Sequence, residues 1–130
     1  MKTNPNKTLL LILVFLISYL LPMAVIAGGS LDGKVFTTLL DGENDVLTFE
    51  NGTFHSSSCD EWGFNKGEYT VEEKGNSISF QATTTSENDG TLVWTGTIQG
   101  DTINGSYNWS KKGWFGTKTK TKTFEGSIKQ

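Results

Sequence analysis

The stretch Thr91–Trp109, "TLVWTGTIQGDTINGSYNW", decides how this chain is read. Apolar and polar residues alternate on both sides of Gly100-Asp101, the pattern of two half-buried strands joined by a two-residue turn. That turn sets Leu92 opposite Trp109, Trp94 opposite Tyr107, Gly96 opposite Gly105 and Ile98 opposite Ile103. Thr95, Thr97, Asn104, Ser106 and Asn108 fall on the other face. A one-residue slip would move every ring to the polar face, so the register is strongly specified.

Two more hairpins obey the same rule. In "DVLTFENGTFHSSS" (Asp45–Ser58) the pair Asn51-Gly52 suits a type I′ turn, which needs two left-handed residues. Glu50 then pairs with Thr53, Phe49 with Phe54, Thr48 with His55 and Leu47 with Ser56. In "GEYTVEEKGNSISFQAT" (Gly67–Thr83) a turn at Lys74-Gly75 would set Val71 opposite Ile78 and Tyr69 opposite Phe80. Adding "GKVFTTLL" (Gly33–Leu40) and "TKTKTKTFEGSIK" (Thr117–Lys129) gives about eight short strands and no segment with helical spacing. The class is all-β. A meander with one apolar face leaves two exposed edges unless it closes, so the expectation is a single antiparallel up-and-down β-barrel, with a sandwich as the alternative.

The ends bound what the domain can be. Lys2 and Lys7 precede an apolar run from Leu9 to Leu21, Pro22 ends it, and Val25 and Ala27 are small residues before Gly28. This reads as an N-terminal signal peptide, residues 1–27, cut before a domain of residues 28–130. The rival is an uncleaved anchor, because Leu9 to Ala27 is near the length that spans a bilayer. Of 130 residues the domain keeps 103, with 9 Lys, no Arg and 14 acids, a net charge of −5. An acidic domain without arginine is poorly suited to neutralising phosphates, so nucleic acid is set aside as a partner. One cysteine, Cys59, permits no internal disulfide; it is buried and inert, paired between chains, or a free thiol.

The run Trp94-x-Gly96-x-Ile98-x-Gly100-Asp101-x-Ile103-x-Gly105, followed by an aromatic strand, is similar to hairpins in avidin-like and lipocalin-like (calycin-like) barrels. The domain also resembles small exported bacterial proteins of unassigned function that share a C-x-x-x-G-F loop, here Cys59 to Phe64. The resemblance implies a barrel architecture. It carries over no biotin-site residue, and the Gly-x-Trp signature of lipocalins is absent from "LDGKVFTTLL".

The residues that could carry chemistry cluster in "FHSSSCDEWGFNKGEY", Phe54–Tyr69. In a continuing strand His55 and Cys59 share the outward face about 13 Å apart, too far to share a metal held at about 2 Å. A helical turn would bring them closer, but Ser56–Ser58 after an Asn-Gly hairpin does not suggest one. Asp60 and Glu61 would raise a thiol pKa rather than lower it, which disfavours a reactive Cys59. The remaining reading is a lid over one barrel end, Cys59–Gly67, with Trp62 and Phe64 folding down and Cys59 anchoring it.

The interior would collect Leu47, Phe49, Phe54, Tyr69, Val71, Ile78, Phe80, Leu92, Trp94, Ile98, Ile103, Tyr107, Trp109, Phe124 and Ile128. Eight strands can fill themselves with side chains or hold one small ligand. Gly96 and Gly105 leave a gap among these rings, open to a flat apolar ligand or covered by a neighbouring ring. Lys118, Lys120 and Lys122 share parity with the inward Phe124, so either a bulge flips them or the strand runs past the rim. They then protect an edge or form a cationic mouth for an anionic ligand. The Asn-x-Ser/Thr triplets at Asn51, Asn104 and Asn108 are explained by turn and strand chemistry.

The sequence therefore points to an exported, non-catalytic barrel, periplasmic or secreted, that binds a small partly apolar molecule. The expected ligand-binding residues are Trp62, Tyr69, Trp94, Gly96, Gly105, Tyr107 and Trp109, with no cofactor, no metal and no catalytic residue. The expected protein is a monomer that makes no membrane contact once the leader is gone. The alternative is a structural or protein-interaction module with a filled core. An enzyme is the third class, disfavoured because no acid–base pair or metal constellation stands out.

Overall fold

A computed structural model of the chain describes Ile26, Ala27 and residues 29–130. The expected leader, residues 1–27, lies outside the described residues except for its last two. Among the described residues there are nine strands: β1 (Ile26–Ala27), β2 (Val35–Leu40), β3 (Glu43–Glu50), β4 (Thr53–Ser56), β5 (Gly67–Lys74), β6 (Ser77–Ser86), β7 (Gly90–Gln99), β8 (Thr102–Gly113) and β9 (Gly116–Ile128). From β2 to β9 each strand pairs antiparallel with the next, and β9 returns to pair with β2. The result is a closed up-and-down barrel of eight strands, and closure removes the free edges an open meander would leave.

The turns explain the registers. Asn51 and Gly52 sit at φ 50° and 73°, and the pairing of Glu50 with Thr53 through Leu47 with Ser56 follows. The β7–β8 ladder is the expected one, from Leu92 and Trp109 to Ile98 and Ile103. The β5–β6 register differs from expectation: Val71 faces Phe80, Tyr69 faces Ala82, and Lys74 pairs with Ser77. Gly75, at φ 56°, takes the first turn position and Asn76 the second, the arrangement of a type II′ turn. Moving the turn by one residue shifts the pairing by two, so the faces survive. A further hairpin, unread in the sequence, turns on Asp41-Gly42 with both residues at positive φ.

Turns Asn51-Gly52, Gly75-Asn76 and Gly100-Asp101 crowd one end of the barrel, where Leu31 is fully buried as a plug. Tyr69 fixes this plug: its hydroxyl donates to Asp32 Oδ1 at 2.7 Å and accepts from the Gly29 and Leu31 amides at 2.9 and 3.1 Å. Asp32 Oδ1 also accepts from the Gly52 amide, tying the segment to the β3–β4 turn.

The interior is filled. Phe49 meets Phe36, Phe54, Tyr69 and Phe80 edge to face, with ring centroids 5.0 to 6.1 Å apart. Trp94 has no exposed surface, packs on Phe54 at 4.9 Å and donates its indole N–H to Thr84 Oγ1. Phe80, Gly96, Gly105 and Phe124 lie in one row across β6 to β9. The two flanking rings fold over the two glycines: a Cβ on Gly96 would stand 2.5 Å from Phe80 Cε1, and one on Gly105 would stand 2.7 Å from Phe124 Cζ. Of the two alternatives for this gap, the interior shows the covered one, each glycine lying under a neighbouring ring. Ile78, Tyr107, Trp109 and Ile128, expected inside, are only partly buried, and Leu31, Phe36, Leu40, Phe64 and Ala82 complete the core instead.

Candidate functional site

At the other end the barrel mouth is partly roofed. The chain leaves β4 into a 3₁₀ helix, Ser57–Trp62, which ends at Gly63 in the left-handed conformation. The local sequence, Ser56–Ser58 after an Asn-Gly hairpin, does not suggest this helical turn. Its cause lies elsewhere in the chain, at the buried carboxylate of Asp45. Asp45 Oδ1 accepts from the Val46 amide at 2.8 Å, the Ser58 amide at 2.9 Å and Ser57 Oγ at 3.1 Å, while Oδ2 accepts from Ser56 Oγ at 2.7 Å. A carboxylate at the start of a short helix satisfies amides that have no partner within the turn.

The turn rotates Cys59 to the inside, where it is buried with its Sγ in hydrogen-bond contact with Ser56 Oγ at 3.3 Å. His55 stays outside and pairs with Asp60. The two residues thus face opposite sides of the wall rather than sharing a face. Burial raises the Cys59 thiol pKa above its ordinary 9.0, reinforced by Asp45 and Asp60 and opposed by the serine hydrogen bonds. The thiol is held protonated and tucked under the lid. Phe64 is buried as expected, whereas Trp62 does not fold down: it is 57% exposed. The lid is pinned to β6 by Ser86 Oγ donating to the Trp62 carbonyl at 2.7 Å and by the Asn65 amide donating to the Thr85 carbonyl at 3.2 Å.

Beside the lid, β8 and β9 rise past the rim. Their ladder is unbroken from Thr102 with Ser127 to Gly113 with Gly116, so no bulge flips the lysines. β7 stops at the Thr91–Ser110 pair and β2 at the Leu40–Phe124 pair, and beyond these the hairpin stands free. Its inner face pairs Tyr107 with Lys122 and Trp109 with Lys120. Together with Cys59, Trp62, Phe64, Asp89 and Leu92 these four line an open pocket of about 310 Å³.

The pocket has an aromatic floor and a cationic wall. Trp109 is fixed by its indole N–H donating to the Asp89 carbonyl at 2.6 Å, and the Tyr107 ring lies 4.8 Å from that of Trp94. Burial first, then Cys59, Asp41 and Asp45, push the Tyr107 phenol up to about 12. Tyr107 therefore presents a neutral hydroxyl across the biological pH range. Lys122 Nζ lies 3.6 Å from Asp41 Oδ2, and Lys120 has no ion-pair partner among the described residues.

Of the seven expected ligand-binding residues, Trp62, Tyr107 and Trp109 meet at this pocket. Trp94 lies beneath it as core, Tyr69 is committed to the plug at the far end, and Gly96 and Gly105 are covered from inside. On the outside those glycines underlie a wider dent of about 450 Å³ lined mainly by threonine, serine, asparagine and glutamine. Phe80 borders it, but it has no cation like those of the mouth. Lys120, Lys122 and Leu92 belong to the pocket and were not expected there as ligand contacts, although the lysine stripe had raised the idea of a cationic mouth.

The class defined by this architecture is a small closed β-barrel with a filled interior and a rim pocket. No family model, no curated protein and no solved structure matches the chain.

Proposed function

We propose that the protein is an exported, non-catalytic binding protein, periplasmic or secreted, whose ligand sits at the barrel mouth and combines an apolar body with an anionic group. The observation that carries this reading is the meeting of Trp62, Tyr107 and Trp109 with Lys120 and Lys122 around one open pocket. Ring faces give apolar area, and ammonium groups on the wall favour a carboxylate or sulfate over a neutral head. The neutral Tyr107 phenol adds a hydrogen-bond donor without repelling an anion. A second reading, a structural or protein-interaction module, draws support from the packed interior, in which the rings themselves occupy the space a barrel ligand would take.

Titration with a medium-chain carboxylate and the matching alcohol, followed by tryptophan emission and calorimetry, separates the two. The expected result is saturable binding with the carboxylate about tenfold tighter. Lys120→Gln with Lys122→Gln should bring the two ligands level, and Trp109→Ala should weaken both. An unchanged preference in the lysine variant refutes the cationic mouth. Absence of saturable binding to the wild type leaves the filled-core module.

A further inference from the structure

The free end of the β8–β9 hairpin carries two aromatic residues that touch nothing. Trp114 and Phe115 occupy the two turn positions between Gly113 and Gly116 and are 99% and 103% exposed. Neither the core nor the rim pocket uses them. Leaving such apolar area in water is costly, and a large exposed apolar patch marks a contact surface.

The charge around the tip is as one-sided as its apolarity. Between Asp101 and Glu125 the chain has five lysines and no acid, in a protein of net charge −3 overall. Lys111 pairs with Asp89 at 3.5 Å and Lys122 with Asp41 at 3.6 Å, both near the rim. Lys112, Lys118 and Lys120 have no ion-pair partner among the described residues. The hairpin runs three residues past the last β7 pair at Ser110, about 10 Å at strand rise, so the two rings are the furthest-reaching part of that end.

We propose that the Trp114–Phe115 tip docks onto an anionic lipid surface, the rings entering the headgroup boundary and Lys112 and Lys118 facing the acidic headgroups. Tryptophan and phenylalanine suit that boundary, and lysines beside it are attracted by the surface charge. A protein partner is the weaker fit, because two residues on a narrow turn offer far less than the roughly 800 Å² per side of a stable interface. This runs against the sequence-based expectation of no membrane contact, and the vesicle experiment below decides between the two. Lipid docking by the tip is independent of the rim pocket, since Trp114, Phe115, Lys112 and Lys118, the residues placed at the lipid surface, do not line it.

The test uses the protein as its host releases it, with the N-terminus established by mass spectrometry and shared by all variants. Phosphatidylcholine vesicles with and without phosphatidylglycerol are compared, some with brominated acyl chains to quench tryptophan at the bilayer. Wild type is expected to bind the anionic vesicles preferentially and to be quenched by bromine. Trp114→Ala with Phe115→Ala should weaken binding about tenfold and remove the bromine-dependent quenching. Lys112→Gln with Lys118→Gln should weaken binding to anionic vesicles alone, and added salt should do the same. Circular dichroism should show every variant folded, as full exposure of the rings implies. Equal binding by wild type and tip variant, or quenching that persists without Trp114, overturns the proposal. If the tip variant changes only self-association in ultracentrifugation, the occupant is a second copy and the lipid proposal fails.

Discussion

Replacing Gly96 by alanine adds one methyl group and tests whether the barrel interior is full. The new Cβ would stand 2.5 Å from Phe80 Cε1 and 3.0 Å from the Asn104 carbonyl oxygen. Ordinary carbon contacts begin near 3.5 Å, so the Phe80 ring must retreat by about 1 Å. It has little room to do so, with the Phe49 ring at 5.1 Å, Phe54 at 5.7 Å and Phe124 at 6.5 Å between centroids. Overpacking of this kind costs about 1–3 kcal/mol, and each kcal/mol lowers Tm by about 4–8 °C in a domain of this size. The assay is denaturant unfolding of Gly96→Ala, Phe80→Leu and the double variant. Shortening Phe80 removes the clashing edge, so the double variant should be more stable than the sum of the singles by about 1–2 kcal/mol. Gly105 supplies the contrast. Its Cβ would run into the Thr95 carbonyl and come within 2.6 Å of Gly96 Cα, both backbone, so trimming Phe124 should not rescue Gly105→Ala. If Gly96→Ala is neutral, or Phe80→Leu fails to relieve it, the ring does not cover the glycine and an interior ligand site returns to contention.

Two further outcomes follow from the lid end. Asp45→Ala strips four donors of their shared acceptor. It should cost about 3 kcal/mol in denaturant unfolding, with amide exchange rising first in Ser57–Trp62; a loss below about 0.5 kcal/mol would mean the carboxylate does not hold the turn. For Tyr107 the folded pKa of about 12 lies above the ordinary 10.0, so the unfolded chain gives up its proton first as pH rises. Its contribution to stability is whole below pH 10 and fades towards pH 12. The fall across that window should be shallower in Tyr107→Phe, and identical alkaline profiles for the two proteins would refute the shift.

Much of the fold was legible in the sequence because hairpin registers are local. Asn51-Gly52 and Gly100-Asp101 each determine a ladder from two turn residues and the alternation around them. Lys74-Gly75 misled for an equally local reason: one glycine suits the second position of a type I′ turn or the first of a type II′, and here Gly75 takes the first. The 3₁₀ turn at Ser57–Trp62 was hidden because its anchor, Asp45, belongs to another strand and becomes adjacent only after β3 and β4 pair. The site was half legible. Tyr107, Trp109 and the lysines alternate correctly, and where the rim cuts β8 and β9 decides which of them line a pocket. That height depends on how far β7 and β2 reach alongside, which no residue of β8 or β9 records. Whether the glycines stand open or covered was left undecided in the sequence, because ring direction is set by packing across four strands.

The order of the strands has a kinetic consequence. Every ladder from β2 to β9 joins neighbours in sequence except the one that closes the barrel, where Phe36 meets Ile128 and Leu40 meets Phe124. Hairpins of this kind form within microseconds, whereas bringing the two ends of the domain together must overcome the entropy of nearly the whole intervening chain. Closure is thus the step expected to limit folding, and it cannot begin until β9 is available. A chain still being synthesised therefore holds an open meander with a free edge at β2, and the barrel can shut only once β9 is free to pair with β2.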